Sequence, residues 1–147
     1  MTKDRSTYPH LLALLCLLAL PATGWSSDEI KSPDSIPGTT KVDAEGMLRL
    51  AETNPDLIII DSRVALDRKQ GYIQGSISLP DAETRCDSLA AHIPSVDSPI
   101  LFYCNGIKCG RSVKAANIAL QCGYRHIYWF RGGFEEWKLK NYPFLKE

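Results

Sequence analysis

The sequence has no excess of either charge: Lys+Arg and Asp+Glu both number 17. No net field therefore draws the chain to nucleic acid or to an anionic membrane. It has no apolar run long enough for a stable membrane anchor, which takes about 20 residues. The longest such run, Leu11–Leu20, has ten. Histidine is scarce, and neither His92 nor His126 stands at metal-ligand spacing from other donors. No glycine-rich phosphate loop precedes a Lys-Ser/Thr pair, and there is no internal repeat or low-complexity tract. No cofactor or metal is expected.

What is present begins with size. A chain of 147 residues with 44% hydrophobic content has room for one domain with a real core, and a monomer suffices. Lys3 and Arg5 precede the Leu11–Leu20 run, and Ala22 and Gly24 follow at the small-residue positions of a cleavage site. That pattern is a secretory signal over residues 1–24, with export, to the periplasm in a bacterium, as the expectation. Pro33, Pro37 and Gly38 among Ser and Thr then suggest a flexible tether over 25–37, leaving 38–147 as the domain.

Export changes the meaning of the cysteines. Cys16 departs with the signal, and Cys86, Cys104, Cys109 and Cys122 remain in an oxidising compartment. Four cysteines allow three full pairings, and spacing does not choose among them. Cys122 falls on the apolar face of a predicted helix and reads as a small hydrophobe. Cys86 lies in a polar loop, as a spectator or a disulfide partner. Cys104 and Cys109 are five apart in one glycine-containing loop, which points to chemistry before scaffolding.

Along the domain, Asp43 is a plausible N-cap for a helix that Asn54-Pro55 ends. Leu57–Ile60 and Ile100–Tyr103 are continuous apolar runs, as in strands buried on both faces of a parallel sheet. Short helices are predicted over Ala65–Gln70 and Asp87–His92, and a short strand over Ser76–Leu79. Ser112–Cys122 has helical periodicity and stops at Gly123. Ile127–Phe130 reads as a last strand, its Trp129 and Phe130 as core or cleft wall, and Phe134–Lys140 as a last helix. Alternating strands and helices predict an α/β domain with a central, mainly parallel sheet flanked by helices. Sites in such sheets lie at the carboxyl ends of strands, where Asp61-Ser62-Arg63 and Cys104 both fall.

The stretch from Cys104 through Asn105, Gly106, Ile107, Lys108, Cys109, Gly110 and Arg111 to Ser112 links a buried strand to a helix. Backbone N–H groups in such a turn form an anion-binding nest. The helix N-terminus adds partial positive charge, and Lys108 and Arg111 add full charges. Each favours thiolate over thiol at Cys104 and holds an anion beside it. This is the arrangement of a nucleophile site.

Four segments in order carry a family resemblance: Asp61-Ser62-Arg63; Gly71-Tyr72-Ile73-Gln74-Gly75-Ser76; Cys104 to Ser112; and Arg131-Gly132-Gly133-Phe134-Glu135-Glu136-Trp137. From about Gly38 onward the chain resembles the rhodanese family of sulfurtransferases. The resemblance implies a three-layer rhodanese-like fold and transfer of sulfane sulfur, from a donor such as thiosulfate, through a persulfide on Cys104. A protein or small-molecule thiol would be the acceptor. It assigns Asn105 to Gly110 to the amide cradle, Arg111 to the loop's closing arginine, and Arg63 to the neighbouring basic element. Asp61 would hold loops together, and Gly132, Gly133 and Trp137 would turn and pack. Two departures stand out. Tyr72 replaces the usual histidine, and six residues separate Cys104 from Arg111, more than in the common sulfurtransferase or phosphatase loops. The cradle is therefore enlarged or folded over itself. Two other functions use the same residues: a thiol–disulfide module of Cys104 and Cys109, and a non-catalytic oxyanion-binding module.

Overall fold

The structure is a computed structural model and describes residues 32–147. The expected signal over 1–24 lies outside the described residues. Among them, no helix is long and apolar enough to cross a membrane.

Among the described residues, five parallel strands form one sheet in the order β1-β5-β4-β2-β3. They are β1 (Thr39–Val42), β2 (Ile58–Asp61), β3 (Ile77–Ser78), β4 (Ile100–Tyr103) and β5 (Ile127–Phe130). The helices between and after them are α1 (Ala44–Thr53), α2 (Ala65–Lys69), α3 (Cys86–Ala90), α4 (Arg111–Gln121) and α5 (Gly133–Leu139). Every residue of β4 is buried, because strands pair with it on both edges and helices cover both faces. That explains its unbroken Ile-Leu-Phe-Tyr sequence.

Side chains alternate across the sheet and make two cores. On one face, Ile60, Phe102 and Trp129 pack with Leu89 of α3 and Ala115, Ala116 and Ala119 of α4. On the other, Leu101, Tyr103 and Phe130 pack with Ala44 and Met47 of α1 and Phe134 and Trp137 of α5. Trp129 and Phe130 are thus core residues. The first helix is capped as its sequence predicts: the Asp43 side chain accepts from the Gly46 N–H at 2.7 Å, and Asn54 ends it.

Strand β1 is absent from the sequence reading, which assigns no element before the helix capped by Asp43. Its residues Thr39-Thr40-Lys41-Val42 are half exposed at the sheet edge, so no aliphatic run marks them. The segment read as a flexible tether also differs where it is described, at residues 32–37. Ile36 is buried in the α3/α4 core, and the Arg131 guanidinium donates to the Ser32 and Pro33 carbonyls at 3.0 and 2.7 Å. An apolar side chain with a core to enter and carbonyls with a cation to meet hold this segment on the domain.

Candidate active site

Strand β4 delivers Cys104 to the carboxyl edge of the sheet, where it is 2% exposed. The chain then leaves the sheet, turns through Gly106–Cys109 with the Cys109 N–H donating to the Gly106 carbonyl at 2.9 Å, and enters α4 at Arg111. The long loop is therefore folded over itself. A disulfide from Cys104 to Cys109, with Cα atoms 6.2 Å apart, closes it.

Helix α5 fixes the start of the loop. The Phe134 N–H donates to the Cys104 carbonyl at 2.9 Å and the Glu135 N–H to the Asn105 carbonyl at 2.7 Å. Peptide units are trans, so carbonyls drawn toward α5 turn the Asn105 and Gly106 N–H groups away from it, in the sense that an amide nest needs. This approach requires Gly133. Its φ is +56°, and an added Cβ would run into the Cys104 carbonyl and come within 2.9 Å of the Asn105 backbone. The tip is tied elsewhere: the Ser32 N–H and hydroxyl donate to the Ile107 carbonyl at 2.7 and 2.8 Å.

A cavity of about 330 Å³ lies against the loop, lined by Asn105, Gly106, Lys108, Cys109, Gly110, Arg111 and Glu135. Five of these are loop residues expected in the amide cradle, and Arg111 is the expected closing arginine. Ile107 is not among them; its side chain is 39% exposed and lines the neighbouring groove with Lys41 and Arg131. The charge balance also departs from expectation. The Arg111 guanidinium lies 3.2 Å from Asp67 and 3.9 Å from Asp81, and Lys114 lies 3.1 Å from Asp81. Asp67 accepts in addition from the Asn105 side-chain amide at 2.9 Å. Carboxylates thus offset the charge of Arg111, and Glu135 stands on the cavity wall. Backbone amides and the N-terminus of α4 add an attraction for an anion that does not depend on Arg111.

Arg63 is not presented to the cradle. It is 1% exposed, forks onto Asp61 at 2.8 and 2.7 Å and donates to the Gly71 carbonyl at 2.8 Å. Its face also lies 4.4 Å from the Phe134 ring. Burial opposes its charge, but the hydrogen bonds and charge of Asp61 outweigh that and raise its pKa. The substrate contact expected of Arg63 gives way to a structural role, because a buried guanidinium must be paired. Asp61, wholly buried, is the hub: it also accepts from Arg68 at 3.3 Å and from the Tyr103 hydroxyl at 2.7 Å. Tyr72 contributes its ring, which lies 3.8 Å beneath the Arg68 guanidinium. An arginine–aromatic stack thus stands where the family's usual histidine is replaced.

The contributions of Ser32, Asp67 and Glu135 escape the sequence reading, since each reaches the loop from a distant element. Cys122 is a further difference. It packs against the α3/α4 core, but it also forms a disulfide with Cys86, Cα to Cα 5.5 Å, which pins α3 to the end of α4. Among the described residues, no cluster of His, Cys, Asp and Glu is suited to a metal ion.

Comparison with known proteins agrees with this architecture. The model of the rhodanese-like domain matches residues 43–140. The uncharacterized protein YibN of Escherichia coli K12 is 23% identical over 113 residues, covering 76% of this chain and 77% of YibN. Among solved structures, the BH2092 protein of Bacillus halodurans aligns with a TM-score of 0.64 at 27% identity, covering 74% of this chain and 77% of that one. The 30 kDa polysulfide-sulfur transferase homodimer of Wolinella succinogenes aligns with a TM-score of 0.62 at 21% identity, covering 75% of this chain and 80% of its own, a likeness of fold.

Proposed function

The chain belongs to the rhodanese-like domain family, and from that premise we propose that it is a sulfurtransferase whose Cys104 thiolate takes sulfane sulfur from a small anionic donor such as thiosulfate. The observation that carries this reading is the position of Cys104: at the end of the most buried strand, under a loop whose amides α5 turns away from itself, at the N-terminus of α4. In the reduced protein those dipoles favour the thiolate. They also hold the donor, since attack on the outer sulfur of thiosulfate leaves a persulfide on Cys104 and expels sulfite, and every species in that step is an anion. A thiol, on a protein or a small molecule, then removes the sulfur.

The Cys104–Cys109 disulfide favours a second reading, a thiol–disulfide redox module. Sulfur transfer needs this disulfide opened first, whereas a redox module can work from it, by attack of a substrate thiolate on one of its sulfurs. Export to the periplasm, as a monomer, is part of the proposal; the Cys86–Cys122 disulfide supports export, because such staples persist in oxidising compartments.

The test is a single turnover. Protein is reduced, freed of reductant under exclusion of oxygen, and mixed with thiosulfate. We expect one sulfite per protein, and none from Cys104→Ser. Sulfite from the Cys104→Ser protein, or none from the parent, would sink the assignment.

A further inference from the structure

We propose that Cys109 resolves the persulfide, so that the sulfur leaves this site as hydrosulfide and the loop disulfide is a product of turnover. This rests on the sulfurtransferase reading above and adds to it the fate of the sulfur. In the first step the Cys104 thiolate attacks thiosulfate; an S–S bond forms at Cys104, the bond to sulfite breaks, and sulfite departs with its electron pair. In the second, the Cys109 thiol loses its proton and its sulfur attacks Cys104 Sγ. The Cys104–Cys109 bond forms, the bond to the outer sulfur breaks, and that sulfur leaves as hydrosulfide carrying the pair and the proton. The two thiols are oxidised by two electrons and the sulfane sulfur is reduced by two. A dithiol reductant must then reopen the disulfide.

Three observations point this way. Cys109 reaches Cys104, because the two are joined, with a Cα separation of 6.2 Å inside the range a disulfide spans. Cys109 lines the cradle that the donor must enter, while Cys104 is 2% exposed beneath it. An external acceptor therefore has to reach a buried sulfur that Cys109 already touches. An intramolecular thiol on a short tether acts at an effective concentration of millimolar or more, so it outruns a dilute external thiol. Hydrosulfide is also a weaker base than an alkyl thiolate, and the less basic sulfur leaves faster. As a staple, by contrast, a bond across five residues restricts the unfolded chain little.

The experiment extends the single turnover by measuring sulfide and the mass of the alkylated protein. Reduced parent protein given thiosulfate without oxygen should release sulfite and sulfide one to one, with a Cys104–Cys109 disulfide appearing in step. Cys109→Ser should still release sulfite but keep the sulfur on Cys104, with sulfide production down by at least about tenfold. Sulfite without sulfide from the parent, the persulfide standing beside a free Cys109, would overturn the inference and leave the sulfurtransferase reading intact. Disulfide formation without sulfide would overturn it as well, by assigning the bond to another oxidant. Absence of sulfite would instead defeat the reading beneath it.

Discussion

The two disulfides of this domain are built for different ends. Cys86–Cys122 joins residues 36 apart and ties the short helix α3 to the C-terminal end of α4. Cys104–Cys109 joins residues five apart within one loop. On the chain-entropy account, the first restricts the unfolded state by about 4 kcal/mol and the second by about 2. Their surroundings differ in the same direction. Cys86 is exposed in a polar stretch, whereas Cys104 follows a buried strand and opens a loop that lines a cavity and leads into the N-terminus of a helix. The lesson is that the bond contributing less to stability is the one placed where thiolate chemistry is favoured. Pairing alone says nothing about purpose; loop length and field do.

That contrast breaks most visibly at Cys104. Cys104→Ser should abolish sulfite release in the thiosulfate assay, while Cys86→Ser with Cys122→Ser should leave it in place. The next effect is on stability. Urea unfolding of the Cys86→Ser/Cys122→Ser protein should show a loss of about 4 kcal/mol, against about 2 for Cys109→Ser. Equal losses would remove the distinction between staple and working bond.

A smaller effect concerns what holds the loop if its disulfide does not. Tyr103 ends β4 beside Cys104 and donates to Asp61 and contacts Ser76 at 2.7 and 3.1 Å. Tyr103→Phe should cost about 2 kcal/mol, the worth of a hydrogen bond to a charged group. Burial first, then the charge of Asp61, hold the phenol well above its usual pKa. The folded state therefore keeps a proton that the unfolded state loses above about pH 10. This contribution is whole below that pH and is lost as pH rises through the folded value, so Tyr103→Phe should show a shallower alkaline decline. Least of all, Asp67→Ala releases Asn105 and Arg111 but breaks only half-exposed contacts. Its unfolding free energy should change by under about 1 kcal/mol.

The same contrast separates what the sequence made legible from what it did not. The buried strands announce themselves by unbroken apolar runs, as Ile100–Tyr103 does, and the two long helices by period, as Arg111–Gln121 does. The Cys104 loop is legible because its residues are contiguous, and its length leaves two shapes, an enlarged cradle or one folded over itself. Contacts made across the fold are not legible. Ser32 meets Ile107 across 75 residues and Asn105 meets Asp67 across 38. Arg63 misleads for a related reason: proximity to the site in sequence does not reveal which way a buried guanidinium turns, and Asp61 captures it two residues away. The Cys86–Cys122 pairing needed the packing of α3 against α4, which no spacing rule supplies.

The central claim is that Cys104 carries the sulfur, and the Cys109→Ser protein tests it most directly, because nothing then competes for the persulfide. After reduction and exposure to thiosulfate, its intact mass should rise by one sulfur atom, located on the peptide that holds Cys104. An unchanged mass, or the same gain when Cys104 is also replaced by serine, would contradict the account.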